Sequence, residues 1–169
     1  PAEQLNIARL VELGRSDLVT SDVLQRIASL TSSSPAAASA LGRIALATRD
    51  PLVRDRVFDA TDSEHAHSRG VLVGYLARFP DDDRVVPALS GLLCDTAAVP
   101  LTSLDANAPE SELSSMGTSA TIGKVLNPAG IGGGPKTTVA KLARAALQQL
   151  ANGPGDTAAA AQQALRKNR

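Results

Sequence analysis

The residues that could do chemistry fall in three places along the 169-residue chain. His65 and His67 sit beside Asp62 and Glu64. Imidazoles and carboxylates together bind Zn²⁺ and similar ions. Two histidines two residues apart point in different directions on a helix and to opposite sides of an extended turn. The simpler reading of His65 and His67 is a solvated helix start, with metal binding as the weaker alternative. Asp81, Asp82 and Asp83 stand before an apolar stretch. Three acids there suit the positive end of a helix. A Ca²⁺ loop needs further oxygen ligands at set spacing, and none follows. Serines and threonines are plentiful, but neither histidine adjoins a nucleophile signature, so no catalytic set is assigned.

The third place is Gly130-Ile131-Gly132-Gly133-Gly134-Pro135-Lys136-Thr137-Thr138, ahead of an apolar helix from Val139. It resembles a phosphate-binding P-loop, G-x-x-x-x-G-K-[ST], whose backbone N–H groups cradle phosphate oxygens. Gly130, Lys136 and Thr137 fit. Pro135 replaces the glycine before the lysine, removes an N–H and fixes φ. Nucleotide hydrolysis is therefore not expected, and no cofactor is implied. A plain loop running into a helix start is the favoured reading. The chemical alternative is an anion held at that start by Lys136, Thr137 and Lys141.

The elements that must position these residues read as helices. Ala37, Ala40, Leu41, Ile44 and Ala45 fall at helical spacing. Val85, Ala88, Leu89, Leu92 and Leu93 repeat it, as do Val139, Leu142, Ala143, Ala146, Leu147 and Leu150, and Leu72, Tyr75, Leu76 and Phe79. Each set is one apolar stripe that needs a neighbour. Ser34-Pro35 and Asp50-Pro51 place a capping side chain before a proline at the first helical position. Ser21, Asp83 and Asp156 are further cap candidates, and Gly14 and Gly153 are candidates for left-handed helix ends. The spacing predicts helices near 3–13, 21–31, 35–48, 51–61, 66–79, 83–94, 137–151 and 156–167. No segment alternates like a strand.

The chain divides into a helical region at 1–94, a Pro/Gly/Ser-rich insertion or long loop at 95–136, and a helical hairpin at 137–169 that packs on the same domain. Either short helices near 97–106 and 110–126 are hidden there, or the stretch is a functional or mobile insertion.

Composition narrows the function classes. Seventeen basic residues balance 17 acidic ones, which argues against a basic coat for nucleic acid. Phe58, Tyr75 and Phe79 are the only aromatics, too few for a base-stacking platform. The single cysteine excludes an internal disulfide, and its place on an apolar stripe predicts that Cys94 is buried. The neutrality is uneven: residues 50–112 carry a net −7 and residues 113–169 a net +6. Mutual attraction within the fold is the simpler reading, and a basic C-terminal face for an anionic partner the sharper one. No run reaches the roughly 18 apolar residues of a membrane helix, and no basic-then-apolar leader opens the chain. The expectation is a cytoplasmic protein without membrane insertion, part of a larger protein or assembly.

Asp50-Pro51-Leu52-Val53-Arg54-Asp55-Arg56-Val57-Phe58-Asp59-Ala60 resembles the second helix of a HEAT repeat, with Asp50, Val53 and Arg54 matching its pattern. Val86-Pro87-Ala88-Leu89 through Leu92-Leu93-Cys94-Asp95 is similar to a first helix of that unit, although Pro100 stands where an Arg follows Val99 in the pattern. Gly155-Asp156 with Ala158 to Leu165 is a fainter echo. The resemblance implies an all-α fold of antiparallel hairpins stacked as a short HEAT-like solenoid. An irregular helical bundle satisfies the same stripes. It also implies a non-catalytic scaffold that binds another protein. Arg54 and Arg56 are the candidate contacts, with Tyr75 and Phe79 as anchors if exposed. Anion, nucleotide or nucleic-acid-backbone binding through the basic C-terminal segment, and a helical domain of an enzyme, are the other classes.

Overall fold

The computed structural model describes residues 2–100 and 136–168, and these are mostly helical. The helices are α1 (Ala2–Glu12), α2 (Ser21–Leu30), α3 (Pro35–Thr48), α4 (Pro51–Asp59), α5 (Ala66–Leu76), α6 (Val85–Gly91), α7 (Val139–Ala151) and α8 (Asp156–Lys167). Single 3₁₀ turns follow α1, α4 and α6.

Local chemistry sets most of the ends. Ser34 accepts a hydrogen bond from the Ala37 N–H, and Asp50 accepts one from Leu52 at 2.9 Å, each ahead of a proline at the helix start. The expected cap at Ser21 belongs instead to Thr20, which accepts from Val23. At α6 the cap residue is Arg84, with no side-chain cap bond; Asp83 is exposed, and the Arg84 N–H donates to the Asp82 carboxylate at 3.1 Å. Gly155, not Asp156, precedes α8 as its cap residue, and it makes no side-chain bond. Gly14 ends α1 at φ 95°, with Arg15 N–H reaching back to Leu10 O and Gly14 N–H to Val11 O. That pair of bonds satisfies carbonyls the helix would leave open. The left-handed glycine after α7 is Gly155, at φ 84°, and not Gly153.

α3 is the hub, packed against α1, α2, α4 and α5. α5 packs in turn on α7, and α7 on α8. Ala37, Ala38, Ala40, Leu41, Ile44 and Ala45 of α3 are all buried, as are Val71, Leu72, Val73, Tyr75 and Leu76 of α5. Helices buried nearly all round belong to the middle of a core, and the small alanines let them approach closely. At the crossing of α3 and α5, Gly42 faces the ring of Tyr75, whose hydroxyl shares a 3.1 Å hydrogen bond with Ser39.

Two short strands were not expected. β1 (Ala98–Pro100) and β2 (Lys136–Thr138) pair antiparallel in the register Ala98↔Thr138, Val99↔Thr137 and Pro100↔Lys136. Three residues are too few to show an alternating pattern in sequence. The strand at 98–100 replaces the start of the helix expected near 97–106. The rest of that helix, the one near 110–126 and the glycine run at 130–134 lie outside the described residues. Val99 is fully buried and meets α5 at Gly70, where an added Cβ would lie 3.1 Å from both Val99 methyls.

α6 is shorter than the predicted 83–94. It gives way at Leu92 to a 3₁₀ turn, which rotates Cys94 off the apolar stripe, so the thiol is exposed rather than buried.

Candidate functional site

The densest set of functional side chains lies between α4 and the turn that precedes α6. Asp50-Pro51 starts α4 so that Arg54 and Phe58, one turn apart, face that turn. Arg54 lies over the Phe79 ring, 4.8 Å from its centroid, and Arg84 lies over Phe58 at 4.3 Å. Such cation–ring pairs contribute about 0.5–1 kcal/mol each near a surface. Asp82 sits between the two arginines. Arg84 grips it with two bonds, Nε to Oδ1 at 2.9 Å and Nη2 to Oδ2 at 2.8 Å, and reaches Asp55 with Nη1 at 2.7 Å. Arg54 contributes weaker contacts, Nη1 to Asp81 at 3.4 Å and to Asp82 at 3.5 Å.

The electrostatics follow this geometry. The Arg84 side chain bonded to Asp82 holds that carboxyl below its ordinary range, against the opposing effect of burial. The same bond, with the one to Asp55, raises the Arg84 guanidinium, which stays charged at any ordinary pH. Asp82 is buried at 8 % exposure, so its charge is tolerated only because the arginine fork satisfies it.

Beside this ladder runs a groove of about 560 Å³ between α2 and α4, lined among others by Leu24, Gln25, Leu52, Asp55, Arg56 and Arg84. Leu52 is 71 % exposed there. Arg56 is also exposed and makes only a 3.7 Å pairing with Asp59.

The other candidates fall elsewhere. Tyr75 is fully buried in the core and Phe79 is 3 % exposed, so neither can anchor a partner. Their rings complete the core stripe, as their i, i+4 spacing predicts. His65 and His67 stack edge to face with centroids 5.2 Å apart, and His65 Nδ1 lies 3.4 Å from Ser68 Oγ. Among the described residues no group of three metal-ligating side chains forms. Burial, then the neighbouring charges of His65 and Lys136, pushes the His67 imidazole below its ordinary value.

The start of α7 is not an open anion cradle. Val139 N–H donates to Ala97 O, Ala140 N–H to Asp95 O at 2.8 Å, and Lys141 N–H to Thr138 Oγ1. These are three of the amides an anion would need. Thr137 is 5 % exposed in β2, whereas Lys136 and Lys141 are exposed. The expected trio is therefore split. Asp95 also receives Arg69 Nε at 2.7 Å and the Ala97 N–H at 3.0 Å, tying α5, β1 and α7 together. Burial pushes the Asp95 carboxyl up, but those two bonds outweigh it and leave it below the ordinary value.

Sequence reasoning missed Asp82, Arg84 and Phe58 as one unit. Asp82 and Arg84 are close in sequence, but their contacts with Phe58, Arg54 and Asp55 span 26–29 residues, and no local signal marks such a pairing.

No protein-family model, curated protein or solved structure matches this chain. Among the described residues no helix is long and apolar enough to cross a membrane. The fold defines the class, a mostly helical protein of the all-α kind with one short strand pair.

Proposed function

We propose that this chain is a non-catalytic protein-interaction module, built as a short HEAT-like solenoid within a larger assembly. The packing of alternate helices, α1 on α3, α3 on α5 and α5 on α7, supports the solenoid reading. A stacked row of this kind buries one stripe per hairpin and frees the outer faces for partners. The observation that carries the interaction reading is Leu52, 71 % exposed in a groove rimmed by Asp55, Arg56 and Arg84. An apolar centre inside a charged rim is the layout of a protein-binding patch. The partner is an amphipathic segment that lays an apolar side chain on Leu52 and Leu24 and meets the rim with complementary charges.

A photoreactive amino acid at position 52 tests this, with the same probe at exposed Gln148 on α7 as control. One discrete crosslinked partner at 52, absent at 148 and lost in Arg56→Glu, is expected. Equal labelling at both positions would overturn the reading.

A further inference from the structure

We propose that the pocket between the end of α3, the first turn of α4 and the turn after α5 binds a phosphoryl group. The pocket holds about 320 Å³ and is lined by Arg49, Arg54, Arg78, Phe79, Pro80 and Asp81, with Leu46 at its edge. That volume lies at the small end of ligand sites, which start at about 300 Å³. Arginines from three separate elements line it.

Arg54 is the central one. Its side chain is only 16 % exposed and lies over the Phe79 ring. Its Nη1 reaches carboxylates only at 3.4 and 3.5 Å, longer than the roughly 2.7–2.9 Å of a well-made charged bond. Its Nε is buried with no hydrogen-bond partner among the described residues. A buried guanidinium left this poorly satisfied is rare; its Nε is closed to solvent, and the atom a ligand reaches is Nη1, which meets exposed Asp81. The ring fixes where the group sits, and the acids among the described residues do not complete it.

Arg49 is a second, independent sign. It is the one non-glycine residue at positive φ among the described residues, at 54°, and it ends α3 in the left-handed conformation. Glycine or asparagine ordinarily takes that position, because a Cβ there costs about 1–2 kcal/mol. An arginine at a place where glycine is favoured trades stability for a guanidinium at the pocket mouth. Strain of this kind gathers at ligand sites.

Asp81 decides the ligand class. It lies on the rim, 72 % exposed, and its carboxylate faces Arg54 at 3.4 Å. A phosphomonoester carries close to two negative charges and three acceptor oxygens, so it outcompetes one loosely held carboxylate. Asp82 is held by Arg84 and stays in place. Once Asp81 swings out, Arg54 is open to one dianion in a pocket that Arg49 also lines. The site uses different residues from the α2–α4 groove and does not depend on the partner proposed there.

The test is calorimetric titration of the full chain with inorganic phosphate, with phosphoserine and with a phosphoserine peptide. Saturable binding that weakens with salt is expected. Arg49→Gly should weaken it about ten-fold, the equivalent of one charge-assisted hydrogen bond, while thermal stability holds or rises. Arg78→Gln should also weaken it, and Asp81→Asn should tighten it. Tighter binding of the peptide than of phosphate assigns the ligand to a phosphorylated protein segment, and equal binding assigns it to the free anion. Absence of saturable binding, or unchanged affinity in both Arg49→Gly and Asp81→Asn, would overturn the proposal.

Discussion

Tyr75 occupies the space in which a side chain on Gly42 would stand: a Cβ built on Gly42 falls within 2.6 Å of three atoms of the Tyr75 ring. The ring cannot yield easily. It is fully buried, and its hydroxyl is tied to Ser39 one turn before Gly42 on the same helix. The crossing of α3 and α5 therefore depends on the absence of one methyl group.

Gly42→Ala consequently has an inverted sign. In an isolated helix the change stabilises by about 1 kcal/mol. Here the added methyl overpacks a rigid ring, and a net loss of about 1–3 kcal/mol is expected. Denaturant unfolding measures it. A stabilised Gly42→Ala would show that α3 and α5 are further apart than described.

Gly70 plays the same part for the strand pair, with Val99 and Leu142 against it. Gly70→Leu should push Val99 out of the core and separate β1 and β2 from α5. Faster amide hydrogen exchange at Thr137 and Ala140, with slow exchange retained in α3, is the expected signature.

Asp95→Ala should cost about 1.5–3 kcal/mol, since it removes a charged hydrogen bond and leaves Arg69 half-buried without that carboxylate. Asp95→Asn retains the Ala97 bond and should cost less. Thermal unfolding of both variants gives the comparison.

Acid should weaken the fold through Asp82. Its native carboxyl lies below the unfolded value of about 3.9, so the stabilisation is complete above that pH and is lost as pH falls through the native value. Asp82→Asn should be less stable than the parent at neutral pH, with the two curves converging under strong acid.

His67 acts at a milder pH. Its native value is lowered by burial, so the folded state binds fewer protons than the unfolded one near pH 6. Stability should be full above the unfolded value of about 6.5 and should fall as pH drops below it. His67→Gln should flatten that part of the profile, as followed by unfolding between neutral and mildly acidic pH.

Local signals located the helices well, because caps and stripes are written in neighbouring residues. Ser34-Pro35 and Asp50-Pro51 start α3 and α4 where the sequence places them. The stripe of Leu142, Ala143, Ala146, Leu147 and Leu150 is buried throughout. Where the helix itself changes, the signal misleads. Cys94 continues the stripe of α6 on paper, but a 3₁₀ turn of three residues moves it to the surface. The strand pair was not legible, since its register joins residues about forty apart.

The candidate sites show the same division. The sequence by itself determined that Asp50-Pro51 opens the helix that carries Arg54, and that acids cluster before α6. Only the tertiary structure decided that Asp82 lies between Arg54 and Arg84, that Tyr75 belongs to the core, and that the amides opening α7 are already taken. Periodicity specifies that a face must be covered. Which neighbour covers it depends on how helices far apart in the chain fit together, and here that fit turns on Gly42 and Gly70.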